Sequence, residues 1–286
     1  MRAVPRMRTA VALLAAALSL TLGVASAASA AQWVGLGDSY AAGPLIPNQS
    51  LNPLGCLRSD KNYAHLAAAA AGKSLSDVSC SGAKTDDMTT AQNVTPGPNP
   101  PQFNALSTST QIVSLSIGGN DIGFTSIIEN CASVTPFGHP CQDQYNSGGV
   151  DQLAARITAT APKVAAVIQD IHTRSPAARV VVVAYEPILP ESGSGCWPQV
   201  PLAWADVPYL RATQKRLNTM LATVAAANGA RYADTYTASI GHDACKSSST
   251  RWVEPLIPGN SAAPFHPNAR GMAGVTPTVV TAATAP

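Results

Sequence analysis

Four short segments hold residues whose types and positions suit nucleophilic chemistry. Gly37-Asp38-Ser39 follows an apolar run, Trp33 to Leu36. A serine at such a turn keeps its backbone N–H exposed, and a turn or helix start favours developing negative charge. The same tripeptide also suits a plain N-capping turn. Gly118-Gly119-Asn120-Asp121 follows the run Gln111 to Ile117. Its glycines let the backbone pass close to a ligand, and the Asn120 amide can offer an N–H to an oxyanion. Taken alone, this segment too is an ordinary turn. Ser81-Gly82-Ala83 follows the weaker run Leu75 to Cys80, and Gly82 can present a backbone N–H at no steric cost. His266 lies in Pro264-Phe265-His266-Pro267-Asn268. There Pro267 can open a helix at its first position and hold the imidazole at the lip of a sheet.

Other chemistries lack their signatures. Gly35-Leu36-Gly37 starts a dinucleotide fingerprint, but Tyr40 stands where its third glycine belongs. No Walker A lysine motif, no G-x-S-x-G elbow and no H-E-x-x-H pair is present. No C-x-x-C pair supports a zinc ribbon or a thioredoxin-like site. No metal and no organic cofactor is expected.

The elements that must position these residues alternate. Strands are expected at Trp33–Leu36, Leu75–Cys80, Gln111–Ile117, Arg179–Tyr185 and Arg231–Tyr236. Helices are expected at Asn62–Ala71, at Asp151–Thr173 (kinked or split by Pro162), at Asp206–Asn228 and at Pro267–Val280, where Pro277 is a weakness. Alternation of this kind predicts an α/β fold with a parallel sheet. In such sheets ligands bind beyond the carboxyl ends of the strands, where three of the four motifs fall.

The N-terminus reads as an export signal. Arg2, Arg6 and Arg8 precede an apolar stretch from Ala10 to Val24, and Ala28-Ser29-Ala30 is an A-x-A cleavage pattern. The chain of 286 residues then divides into a signal peptide, 1–30, and a single domain, 31–286, with a secreted, extracellular destination. Without those arginines, 15 basic residues face 16 acidic ones, which argues against a nucleic-acid binder. No later segment is long and apolar enough to span a bilayer. The cysteines Cys56, Cys80, Cys131, Cys141, Cys196 and Cys245 are even in number, as in a disulfide framework, and spacing alone selects no connectivity.

Taken together and in this order, GDS near the mature N-terminus, a glycine after strand two, GGND after strand three and a late HPN resemble the SGNH hydrolase superfamily, the GDSL esterases and lipases. The resemblance covers nearly the whole mature chain. Gly241-His242-Asp243-Ala244-Cys245 and Arg251-Trp252-Val253-Glu254-Pro255 resemble its secreted actinobacterial branch. It implies a three-layer α/β/α sandwich on a mostly parallel, flavodoxin-like five-stranded sheet. Ser39 would be the nucleophile and His266 the base, with an oxyanion hole from Ser39, Gly82 and Asn120. It also implies the pairs Cys56–Cys80, Cys131–Cys141 and Cys196–Cys245.

Many members carry an aspartate three residues before the histidine; here Ala263 stands there. A backbone carbonyl, of Ala263 or Pro264, would orient the imidazole instead. Asp38 and Asp121 are expected to tie down their own turns, and Asp234 and Asp243 are remoter alternatives to the carbonyl. The implied activity is hydrolysis of a small-molecule ester or lipid through an acyl-serine, by a monomer. The alternatives are a phospholipase A-type acyl hydrolase and a non-catalytic binding module on the same fold. The apolar residues Leu45, Ile46, Leu51, Leu54, Phe124, Ile127, Ile128 and Phe137 are candidates to shape an acyl pocket, or equally to cover the core.

Overall fold

The computed structural model describes residues 1–3 and 31–286. The expected export signal lies almost wholly outside the described residues. Strands β1 (Trp33–Gly37), β2 (Leu75–Asp77), β3 (Ile112–Ser116), β4 (Arg179–Val183) and β5 (Arg231–Ala233) form one parallel sheet in the order β2-β1-β3-β4-β5. This is the flavodoxin-like order. Around it run helices α1 (Ser39–Ala42), α2 (Tyr63–Ala70), α3 (Phe124–Cys131), α4 (Pro140–Tyr145), α5 (Gln152–Arg174), α6 (Asp206–Ala227), α7 (Thr235–Ala238) and α8 (Ala269–Thr284).

Strand alternation divides the core in two. Val34, Leu36, Val113, Leu115, Val180 and Val182 face the α5 and α6 side, with Ile168, Ile171, Leu217 and Leu221. Trp33, Ile112, Val181, Val183 and Ala233 face α2 and α8, with Ala64, Ala67, Met272 and Val275. Because both faces are covered, the central strands are apolar throughout. The α2–α8 layer uses alanines and so packs close to the sheet.

Two helices overrule their prolines. α5 runs unbroken through Pro162 and α8 through Pro277. An interior proline costs about 3 kcal/mol, but α5 buries Leu153, Ile157, Val164, Val167, Ile168 and Ile171 on one face. Each such side chain contributes roughly 1.5–3 kcal/mol, so the stripe wins. Four strands are shorter than expected: β3 and β4 by two residues each, β2 and β5 by three. β2 ends at Asp77, where the Asp77 carboxylate accepts from the backbone N–H and hydroxyl of Ser79 and turns the chain. β5 ends at Ala233 because Asp234 caps α7. Nor does Pro267 open a helix: it pairs with Val253, and α8 starts two residues later under an Asn268 cap.

The six cysteines are joined as Cys56–Cys80, Cys131–Cys141 and Cys196–Cys245. The first ties the loop after α1 to the segment entering Gly82. The third ties the loop after β4 to the segment leading to His266. Among the described residues no helix is long and apolar enough to cross a membrane.

Candidate active site

The sheet order reverses between β1 and β3, which opens the crevice beyond their carboxyl ends. Gly37, the last residue of β1, lies against Ser116 of β3 at φ 142°, and a Cβ there would collide with the Ser116 carbonyl. Only glycine permits this approach. The Gln102 side chain clamps the same residue, accepting from Gly37 N at 2.8 Å and donating to Gly37 O at 2.9 Å. The proline-rich segment that ends at Gln102 thus delivers a buried amide to the nucleophile turn. Asp38 then caps α1, accepting from Tyr40 N at 2.9 Å.

Ser39 stands at the start of α1, and its hydroxyl donates to His266 Nε2 at 2.8 Å. The other ring nitrogen, Nδ1, donates to the Pro264 carbonyl at 2.7 Å. A carbonyl can only accept, so Nδ1 carries the proton and Nε2 keeps its lone pair towards Ser39. The alternative carbonyl, of Ala263, is otherwise engaged: it accepts the backbone N–H of His266 at 3.2 Å. Burial pushes the imidazole pKa below its ordinary value, and the bond to Pro264 works the other way.

The acids divide as follows. Asp38 accepts from the Tyr185 hydroxyl at 2.5 Å, and that hydroxyl accepts from Gly119 N at 2.8 Å. One carboxyl thus couples the GDS turn to the GGND turn. Burial raises Asp38 to about 7, against the Tyr185 and Tyr40 hydrogen bonds. Asp121 does not tie down its own turn. It reaches across to Thr85, accepting from Oγ1 at 2.5 Å and from the backbone N at 3.1 Å, and so anchors the segment after Gly82. Asp234 caps α7, and Asp243 accepts from Cys245 N. Among the described residues no carboxylate pairs with His266.

Gly82 has φ 82°, a left-handed conformation suited to glycine, and Gln92 holds the preceding Ser81 carbonyl at 2.8 Å. Among the described residues the N–H groups of Ser39 and Gly82 find no acceptor. Asn120 donates one side-chain hydrogen to Ala83 O at 3.0 Å, leaving the second free.

His266 is held by a loop with little regular structure. Glu254 lies fully buried beneath it. Its backbone pairs on both sides, Glu254 N donating to His266 O and Phe265 N to Glu254 O. Its carboxylate accepts from Arg251, Gly259 N, Asn260 and Asn268. Burial opposes ionisation, yet these bonds together hold its pKa at about 2.

An apolar pocket adjoins the nucleophile turn, walled by Tyr40, Phe124, Ile127, Ile128, Ile188 and Leu210 among others. Phe124, Ile127 and Ile128 thus line it. Leu45, Ile46, Leu51, Leu54 and Phe137 do not; Ile46 is core, and Leu51 and Phe137 are exposed. Tyr40, Tyr185, Gln102 and Glu254 escaped the sequence reading. Two signals were available: Tyr185 is a phenol ending a buried strand, whose hydroxyl needs a partner, and Glu254 sits in the Arg251–Pro255 stretch that carries the branch resemblance.

Residues 36–273 match the model of the GDSL-like lipase/acylhydrolase family. The chain is 42% identical over 267 residues to Lipase 2 of Streptomyces coelicolor, covering 89% of this chain and 88% of that one. It is 31% identical to a lipase of Streptomyces rimosus, over 95% of each. Phospholipase A1 from Streptomyces albidoflavus superposes with a TM-score of 0.74 at 28% identity, over 89% of this chain and all of the other. An extracellular lipase from Streptomyces rimosus gives 0.67 at 28%, over 87% and 98%. The chain belongs to the GDSL-like lipase/acylhydrolase family and is an ester hydrolase.

Proposed function

We propose that Ser39 and His266 act as a catalytic dyad that hydrolyses acyl esters through an acyl-serine. The observation that carries this reading is the relay Ser39 Oγ to His266 Nε2 at 2.8 Å and Nδ1 to Pro264 O at 2.7 Å. Oγ attacks the ester carbonyl as its proton passes to Nε2. The oxyanion meets the free N–H groups of Ser39 and Gly82 and the free amide hydrogen of Asn120. One such donor contributes about 2.7–4 kcal/mol to lowering the barrier. Collapse expels the alcohol, which takes the proton from His266. Water, deprotonated by the same Nε2, then releases the acid. The depressed imidazole pKa keeps the base neutral at pH 7. The Pro264 carbonyl fixes the tautomer but gives the imidazolium less charge stabilisation than a carboxylate would.

The acyl chain occupies the pocket walled by Phe124, Ile127, Ile128, Ile188 and Leu210, whose apolar lining suits a fatty acyl group. Every proposed group comes from one chain, so a monomer suffices. Residues 31–286 are read as one domain and residues 1–30 as its export signal, giving an extracellular enzyme. A phospholipase A-type substrate is the second reading, favoured by the similarity to the Streptomyces albidoflavus phospholipase A1.

Turnover of p-nitrophenyl esters of increasing chain length tests the first reading, and release of fatty acid from phosphatidylcholine the second. Ser39→Ala and His266→Ala are each expected to lose more than about 10⁴ in kcat. A fluorophosphonate should label the wild type and spare Ser39→Ala. Label on another serine, or a His266→Ala enzyme of near-normal rate, would sink the dyad.

A further inference from the structure

The turn that carries Pro264 is built against its own preference. His266 N donates to Ala263 O at 3.2 Å, so Pro264 and Phe265 are its central residues. Phe265 has φ 61°. Proline followed by a residue of positive φ is the type II pattern, in which the second central position strongly prefers glycine or asparagine. A bulky residue there is strained. Type I and type II turns differ by a flip of the central peptide, and that peptide contains the Pro264 carbonyl. With φ negative at Phe265 the carbonyl would swing to the other face and leave Nδ1 without its acceptor.

Something must therefore hold the unfavoured form. Phe265 N donates to Glu254 O at 2.9 Å. On the other side the Tyr40 hydroxyl donates to Phe265 O at 2.7 Å, a buried bond between residues 225 apart. Tyr40 is enclosed: it is 4% exposed and packs edge-on against Tyr185 and Phe124. Its ring centroid lies 5.3 Å from that of His266.

We infer that Tyr40 is a positioning residue: with the Glu254 carbonyl holding Phe265 N, its hydroxyl on Phe265 O fixes Phe265 at both ends, and so keeps the Pro264–Phe265 turn in its type II form and the Pro264 carbonyl on His266 Nδ1. The residue after the nucleophile thus also sets the tautomer of the base. This rests on the dyad reading, but its first measurement needs no activity. In ¹H–¹⁵N spectra of the imidazole, assigned by their loss in His266→Ala, the wild type shows the Nδ1–H tautomer. Tyr40→Phe keeps the ring and its packing. It should mix the two tautomers and lower kcat for p-nitrophenyl butyrate about tenfold, the equivalent of one hydrogen bond, with KM unchanged within about twofold.

Glycine takes positive φ freely, so the double variant Tyr40→Phe/Phe265→Gly should regain the pure tautomer although it melts at a lower temperature. A merely structural hydroxyl predicts no such recovery. An unchanged tautomer in Tyr40→Phe, loss of the fold in that variant, or a mixed tautomer that glycine does not rescue would each overturn the inference. If instead His266→Ala or Ser39→Ala kept near-normal turnover, the dyad would fall while the tautomer spectra still decided the turn.

Discussion

Two carboxyl-bearing regions flank the candidate site, and burial drives them in opposite directions. Below Ser39, Asp38 and Glu186 are 1% and 2% exposed. Burial raises Asp38 to about 7 and Glu186 to about 8. Asp38 has two donors, Tyr40 N and the Tyr185 hydroxyl. Below His266, Glu254 is equally buried, but donors from four residues converge on it, including both Nε and Nη2 of Arg251. Its pKa sits at about 2 despite burial. Desolvation disfavours a buried carboxylate, and only convergent donors or an opposite charge reverse that. The nucleophile side is already fixed by the β1–β3 ladder and can keep near-neutral carboxyls. The histidine side has no ladder, and an ionised hub takes its place.

The first way to break this comparison is to discharge the hub. Glu254→Gln replaces an acceptor with an amide that faces other donors and leaves Arg251, whose side chain is 12% exposed, without its partner. Breaking a buried pair on one side costs about 3–5 kcal/mol. The urea midpoint should fall accordingly. A displaced His266 should lower kcat by about a hundredfold, as a misplacement of about 1 Å can. Wild-type stability in Glu254→Gln would mean that the loop is held by its backbone alone.

What was legible in the sequence follows the same division. The apolar runs of β1 and β3 and the glycine turns after them are local signals, so Ser39 and Asn120 could be placed at the sheet edge from spacing; Gly82 follows the weaker run of β2, and the roles of all three came from the family resemblance. The unbroken course of α5 and α8 through Pro162 and Pro277 was not legible, because it is decided by burial of distant stripes. Nor was the choice between the Ala263 and Pro264 carbonyls, which depends on a turn type that phenylalanine at 265 does not announce. Tyr40 and Phe265, Gln102 and Gly37, and Glu254 and Asn268 meet only after folding. Residue type gave no sign of those partnerships.

The second test sharpens the comparison through pH. A depressed folded pKa contributes stability that is present above the unfolded value and lost as pH falls. For Glu254 that loss falls between its ordinary 4.5 and about 2. A raised carboxyl acts in the reverse sense. Between 4.5 and about 8 the folded state retains the Glu186 proton that the unfolded chain has released, so stability falls as pH rises. Glu186→Gln should therefore raise Tm by several degrees at pH 9 and leave it nearly unchanged at pH 4. Equal shifts at both pH values would show that Glu186 acts through packing.

The smallest effect is expected at Asp38. It stands beside the nucleophile and could be mistaken for a triad acid. Its carboxyl, however, faces Tyr40 N and Tyr185, whereas the imidazole proton goes to Pro264. With its pKa raised from 3.8 to about 7, much of it is already uncharged at pH 6, and an amide imitates that state. In Asp38→Asn the side-chain oxygen can still cap Tyr40 N. The amide N–H₂ must now donate to Tyr185, which already accepts from Gly119 and so loses an acceptor for its own proton. One neutral hydrogen bond is therefore disturbed, and kcat should fall by about tenfold or less, against about 10⁴ for loss of a true triad acid. In stability the sign reverses. Wild type loses stability between pH 3.8 and about 7 because the folded state holds a proton that the unfolded state has released. Asp38→Asn has no such proton, so its Tm relative to wild type should climb across that window. A loss near 10⁴ in kcat with the fold intact would make Asp38, not the Pro264 carbonyl, the group on which the histidine depends.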